Sequence, residues 1–148
     1  MIVSPILGPV VALVAWSLVM MVWMYAVRFP AMRRKGISLK GRIGSKTGSL
    51  EGVVEDHVNW KAHNYNHLME QPTLFYAIAL TMAVMDKGEG IHGINLALAW
   101  GYVAFRVLHS LVQATTNVVR TRLYLFLGAS LCLLGLTVHA AAQIIHHS

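Results

Sequence analysis

The sequence is poor in charged residues and in cysteine. Asp, Glu, Lys and Arg make up 12% of the 148 residues, whereas 56% are hydrophobic. Soluble domains carry about 25% charged residues, so this composition excludes an ordinary soluble protein, and its apolar character excludes intrinsic disorder. Cys132 is the single cysteine. The chain therefore has no internal disulfide and no metal site built from cysteines.

One apolar segment is clearly long enough to cross a bilayer, which takes roughly 20 residues, and three further segments follow it, of which the last is also plainly hydrophobic and the middle two carry many polar groups. Residues 6–27 carry no charge and are followed by a basic flank from Arg28 to Lys35, which favours a retained span over a cleaved signal peptide. We therefore expect one domain over 1–148, an all-α integral membrane protein with an up-down-up-down four-helix bundle. Its spans are predicted at roughly 5–28, 57–86, 91–117 and 121–145, with a cytoplasmic loop at roughly 29–56.

The positions of Lys and Arg orient the chain in the membrane. All but two of the 12 basic residues lie in the loop at 29–56, beside it, or in the turn between the third and fourth predicted helices. Cytoplasmic connections accumulate Lys and Arg, so this pattern predicts that both termini are non-cytoplasmic. The exceptions are Lys87, in the opposite turn, and Arg106, inside a predicted span. Topology thus explains the positive net charge, and no nucleic-acid partner is predicted.

The two middle helices each carry a stripe of polar residues. At about 100° per residue, the stripe on the second helix is about 80° wide and contains Glu55, Asn59, His63, Asn66, Glu70 and Thr73. The stripe on the third helix is about 100° wide and contains Asn95, Tyr102, Arg106, His109, Ser110, Gln113, Asn117 and Arg120. Charged groups at bilayer depth cost roughly 2.5–3.5 kcal/mol, so both stripes are expected to face the bundle interior or a water-filled cleft.

Glu70 and Arg106 are expected to form an ion pair inside the membrane. Each lies about 16–20 Å from the cytoplasmic end of its helix at 1.5 Å per residue. An unpaired charge at that depth would be the more expensive arrangement. Pro72 removes one backbone donor and predicts a kink near Glu70. The ionisable residues expected to meet in a cytoplasm-facing cavity for a polar ligand are Glu70, Arg106, His63, His109 and Arg120.

No metal site is predicted. His63 and His67 share a helix face at an i, i+4 spacing, but no third ligand is evident beside them.

Two short motifs resemble the MAPEG superfamily, the membrane-associated proteins in eicosanoid and glutathione metabolism. The stretch Lys61-Ala62-His63, followed by Asn66, Glu70 and Pro72, is similar to the second-helix signature of that superfamily. The stretch from Arg106 to Ser110, RVLHS, resembles the Arg-x-x-His-Ser/Thr of its prostaglandin E synthase branch. The resemblance covers nearly the whole chain and is strongest toward uncharacterised bacterial members.

The resemblance implies a homotrimer in a bacterial inner membrane that holds glutathione between subunits near the cytoplasmic side. It implies a glutathione transferase or peroxidase that acts on a lipophilic electrophile. The residues it implies for glutathione binding are Lys61, His63, Asn66, Glu70, Arg106, His109, Ser110 and Gln113. Either Arg120 or Arg122 would be the catalytic residue that stabilises the glutathione thiolate.

Two other functions stay open, so the sequence does not decide whether the protein is an enzyme. Gln113 stands where these enzymes usually have Tyr, and Glu70 follows Asn66 by four residues where three are usual. Both departures favour a non-catalytic lipid-binding or helper protein of the same fold. A small proton- or solute-conducting membrane protein would also explain Glu, His and Arg on facing helices.

Overall fold

The computed structural model describes residues 3–38, 40, 44, 48–86 and 93–147. This part of the chain forms five helices and no strand: α1 Leu7–Arg34, α2 Asp56–Leu68, α3 Gln71–Met85, α4 Gly93–Thr115 and α5 Val119–His147. Three basic residues used in the topology argument, Arg42, Lys46 and Lys87, lie outside the described residues.

Four segments are long and apolar enough to cross a membrane. They are Leu7–Arg34, Asp56–Met85, Gly93–Thr115 and Val119–His146, so α2 and α3 together form the second span. The predicted fold class, an all-α protein with four membrane-spanning helices, is confirmed.

The first helix continues beyond the end predicted at about residue 28. Its last turns bury Ala31 and Met32 against Leu50, Val54 and Val58, which belong to the segment before α2 and to α2 itself. Because these apolar contacts hold the end of α1, the basic residues between 28 and 34 are helical and do not form a loop.

The second span breaks between α2 and α3. Pro72 lies in the first turn of α3, where its missing N–H and its ring prevent a continuous helix through Leu68. Glu70 leaves helical backbone, with ψ at −97°. Its carbonyl oxygen accepts hydrogen bonds from both the amide and the hydroxyl of Thr73, at 3.1 and 2.7 Å. The predicted kink is therefore a complete interruption, and it changes the direction in which Glu70 points.

Glycines allow α4 and α5 to approach closely. A Cβ placed on Gly128 would lie 2.9 Å from the ring of Phe105, and one on Gly135 would lie 3.1 Å from Leu98. Small residues at such crossings let two membrane helices pack backbone against side chain. This contact fixes the position of the polar face of α4 relative to α5.

Candidate functional site

Four polar side chains of α4 lie on one buried face. Arg106, His109, Ser110 and Gln113 recur at helical spacings of three and four, and each is at most 4% exposed. Asn95 is also buried, nearer the other end of the same helix. The inward direction predicted for this part of the polar stripe is confirmed.

Ser110 joins three helices. Its hydroxyl oxygen accepts a hydrogen bond from Asn64 Nδ2 of α2 at 2.7 Å and another from Trp16 Nε1 of α1 at 3.0 Å. Asn64 is not part of the polar stripe predicted for α2. It follows the buried Lys61 by three residues, so the two side chains share one helix face. The Lys61 ammonium lies 5.7 Å from the centroid of the Trp23 ring, in a cation–π contact. Ser110 and Lys61 thus make contacts within the bundle.

Arg106 is almost completely buried but only partly hydrogen bonded. Its side chain is 1% exposed, and Nη2 donates to the carbonyl oxygen of His67 at 3.0 Å. The guanidinium carbon also lies 5.8 Å from the centroid of the Phe126 ring. Within the described residues, Nε and Nη1 are buried without a well-formed hydrogen bond, although the Tyr102 hydroxyl interacts with the guanidinium. Because buried polar atoms are nearly always hydrogen bonded, these two donors call for a further partner.

The expected ion pair between Glu70 and Arg106 is wrong. The Glu70 carboxylate accepts instead from His67, with Oε2 2.7 Å from Nδ1, and its side chain is 67% exposed. The interruption at Glu70 explains the difference. A continuous helix would carry the carboxylate toward α4, whereas the non-helical backbone before Pro72 turns it to the outside of the bundle.

His67 is the residue of this region that the sequence patterns miss. Its ring centroid lies 5.0 Å from that of His109 and 5.7 Å from that of Phe126, so the imidazole lies between α4 and α5. The side chain is 25% exposed. The polar contacts of His67 are with the Glu70 carboxylate at Nδ1 and with the Arg106 guanidinium at the main-chain carbonyl. Two features of the sequence indicate this arrangement of His67. Pro72 predicts a break in the helix, and Glu70 is a carboxylate three residues after His67.

The polar stripe of α2 faces away from the interior of its own bundle, and Asn59, His63 and Asn66 line cavities at its surface. Asn59 is buried, but His63, Asn66 and Glu70 are exposed on the single chain. The reason is that α2 packs through a neighbouring face, which includes Val58 and Leu68, and leaves the stripe at its edge. His63 Nε2 lies 3.1 Å from Oε1 of Glu51 in the segment before the helix.

Two cavities flank the exposed side of α2. The larger, of about 410 Å³, is lined by Glu51, Asp56, Asn59, Trp60, His63 and Asn117. The smaller, of about 270 Å³, lies between α1 and α2 and includes Arg28, Tyr65 and Asn66 in its lining. Asn59 and His63 line both. Their volumes approach the roughly 300–1,000 Å³ typical of small-molecule sites.

Arg120 and Arg122 differ sharply in their surroundings. Arg120 is exposed, whereas Arg122 is half-buried and donates from Nη1 to Oδ1 of Asn117 at 2.7 Å. Asn117 has a positive φ of 52°, a left-handed conformation that ends α4 and that Asn tolerates better than most residues. Within the described residues, Nε of Arg122 is buried without a partner. Arg122 is therefore the more enclosed of the two arginines and the one held in place by a neighbouring side chain.

No group of three His, Cys, Asp or Glu side chains that could hold a metal ion occurs among the described residues.

Comparison with known proteins identifies the family. A family model described as the MAPEG family matches residues 6–142, which includes all four spans except the end of the last one. Neither the curated proteins nor the solved structures contain a match to this chain. Because the family match extends over most of the sequence, the chain belongs to the MAPEG family.

Proposed function

We propose that this protein binds glutathione and directs its thiolate at a lipophilic electrophile, as a transferase or a peroxidase. The observation that carries the proposal is the buried Arg106 guanidinium, whose Nε and Nη1 lack a well-formed hydrogen bond among the described residues. An unsatisfied buried cation in a membrane span is expensive, so an anionic ligand that completes its hydrogen bonds is the simplest account.

Glutathione suits these groups chemically. It carries two carboxylates, and a guanidinium can hold a carboxylate through two parallel hydrogen bonds. The unpartnered Nε of Arg122 and Oε1 of Gln113 offer a further donor and an acceptor. Arg28 and Asn66, in the lining of the smaller cavity, supply a cation and an amide nearer the end of α1.

The exposed polar stripe of α2 supports assembly into an oligomer. His63, Asn66 and Glu70 belong to a membrane span yet face away from their own bundle. Exposure of these polar and charged groups to hydrocarbon would be expensive, so a second copy that covers them is favoured. The homotrimer of the family resemblance would provide that cover and would place the ligand between subunits. We extend the proposal to a bacterial inner membrane with both termini non-cytoplasmic.

Arg122 is the favoured activator of the thiol. A neighbouring cation stabilises a thiolate and so raises the fraction of the nucleophilic form. Arg122 is held by Asn117 and half-buried, whereas Arg120 is exposed. A lipophilic electrophile would enter laterally from the bilayer.

Isothermal titration of glutathione into the detergent-solubilised protein tests the proposal. Arg106→Lys keeps the charge but removes the planar guanidinium. We expect a loss of affinity for glutathione of about 10–100-fold, because a charge-assisted hydrogen bond contributes about 1.5–3 kcal/mol. Arg33→Lys, at the exposed end of α1, is the matched control. No binding to the wild-type protein, or equal affinities for the Arg106 and Arg33 variants, would overturn the proposal.

A non-catalytic lipid-binding or helper role is the second candidate. Gln113 supports it, because an amide stands where the related enzymes carry the hydroxyl of Tyr. Conjugation of glutathione to chlorodinitrobenzene discriminates between the two. Turnover above the buffer rate supports the enzyme, whereas glutathione or lipid binding without turnover supports the helper.

A further inference from the structure

The side chains of His67 and Glu70 form a carboxylate–imidazole pair inside the second span. Oε2 of Glu70 lies 2.7 Å from Nδ1 of His67. A carboxylate accepts hydrogen bonds, so it favours the tautomer in which Nδ1 carries the proton and Nε2 carries a lone pair. Within the described part of the chain, the ring nitrogen of His67 that forms a hydrogen bond is Nδ1. The imidazole is therefore oriented as a base with Nε2 as its acceptor atom.

The surroundings of His67 suit a proton acceptor. The charged and titratable groups that meet it are Glu70 at the ring, Arg106 at the main-chain carbonyl and His109 from α4. From α5 it meets the apolar ring of Phe126. Glu70 is the anion of this set, and its carboxylate lies 2.7 Å from the ring nitrogen Nδ1. The side chain is 25% exposed, so a ligand at the edge of the bundle can reach it.

We propose that His67, oriented by Glu70, is the general base that takes the thiol proton of the bound cosubstrate. This proposal rests on the glutathione binding proposed above. The S–H bond breaks, its proton moves to Nε2, and the electron pair stays on sulfur as the thiolate. The imidazolium then forms an ion pair with the Glu70 carboxylate. A base in the bundle is needed here because apolar surroundings provide little water to accept the proton.

The same pair indicates the class of electrophile. When the thiolate forms a C–S bond to the β-carbon of an α,β-unsaturated carbonyl, the electron pair of the double bond moves toward the carbonyl. The imidazolium returns its proton to the α-carbon, and His67 becomes neutral again. Thiol and electrophile combine without a leaving group, so protons and electrons balance over the cycle. A lipophilic α,β-unsaturated carbonyl compound is thus the substrate class that uses this base in both directions.

Proton counting on glutathione binding tests the proposal. Calorimetric titration in two buffers with different ionisation enthalpies gives the number of protons released, and ultraviolet absorbance gives the thiolate formed. In wild-type protein we expect thiolate with release of well under one proton, because His67 retains it. If Arg122 alone stabilised the thiolate, about one proton would leave per thiolate formed.

Three variants make the test specific. His67→Gln removes the base, so any remaining thiolate should be accompanied by release of about one proton, and addition to the unsaturated carbonyl should fall by about 10²-fold or more. Glu70→Gln keeps a hydrogen-bond acceptor without the charge and should lower the thiolate fraction while glutathione still binds. His57→Gln, exposed at the start of α2, is the matched control.

The outcomes separate the two proposals. No heat of binding in the wild-type protein would overturn both the glutathione site and the base. Binding with one proton released per thiolate, unchanged in the His67 and Glu70 variants, would overturn the base alone. Should His67→Gln fail to fold, Glu70→Gln gives the same decision through its thiolate fraction.

Discussion

Arg106 donates from Nη2 to the carbonyl oxygen of His67 at 3.0 Å, and this bond ties the polar face of α4 to the end of α2. His67 is the residue before the last residue of α2, and it precedes the interruption at Glu70. One guanidinium thereby supports the broken second span and keeps two of its nitrogen atoms available for another partner.

The absence of a Glu70–Arg106 ion pair predicts additive effects on stability. Glu70→Gln and Arg106→Gln should change the free energy of unfolding with a coupling of about 1 kcal/mol or less, because the two side chains form no ion pair and are linked only through His67. Thermal unfolding of the single and double variants in detergent measures this. A coupling of several kcal/mol would show that the ion pair forms after all.

Removal of the Ser110 hydroxyl should destabilise the bundle. Ser110→Ala leaves Asn64 Nδ2 and Trp16 Nε1 without their acceptor, and an unsatisfied buried donor costs about 1–3 kcal/mol. Thr137→Val is the matched control, since the Thr137 hydroxyl donates to the carbonyl of Leu133 in its own helix, at 2.8 Å. Equal losses in unfolding temperature for the two variants would contradict the three-helix contact.

Gly128 should tolerate no side chain. Gly128→Ala places a methyl group 2.9 Å from the Phe105 ring, which must move, and overpacking of this kind costs about 1–3 kcal/mol. At Gly8 the same methyl group would meet Trp100 at an ordinary 3.5 Å, so Gly8→Ala should change little. Unfolding temperatures of the two variants give the comparison, and similar values would argue against the tight α4–α5 packing.

The conformation of Asn117 predicts that Gly and Ala at this position lower stability to different extents. Both substitutions remove the bond to Arg122, but Gly accepts a φ of 52° freely, whereas Ala pays about 1–2 kcal/mol in the left-handed region. Asn117→Ala should thus be the less stable variant, while thiolate formation should fall alike in both. Equal unfolding temperatures would mean that the turn relaxes.

The sequence predicts the α4 site better than the α2 site for a physical reason. α4 is one uninterrupted helix, so the phase of its polar stripe holds from Asn95 to Gln113 and the inward direction follows. In the second span, the interruption before Pro72 changes the phase at Glu70. A helical periodicity that is assumed to continue through this break places the Glu70 carboxylate on the side of the span that faces α4, whereas it lies on the outside of the bundle.

Other features depend on contacts between distant parts of the chain. Asn64 and Trp16 donate hydrogen bonds to Ser110 only when three helices have packed together. The spacing of residues within one helix does not predict these contacts. Arg120 and Arg122 look equivalent in the sequence and are separated only by the turn at Asn117, which holds one of them. The first and last spans, in contrast, follow from apolar length, and the two middle spans from length together with the placement of the basic residues.

The most direct test of the glutathione site is a cryo-electron microscopy map of the full chain in lipid nanodiscs with glutathione. We expect ligand density within hydrogen-bond distance of Nε or Nη1 of Arg106, in a site closed by a neighbouring copy. A map in which both nitrogen atoms bond to water or to protein, with no ligand density beside them, would contradict the glutathione site.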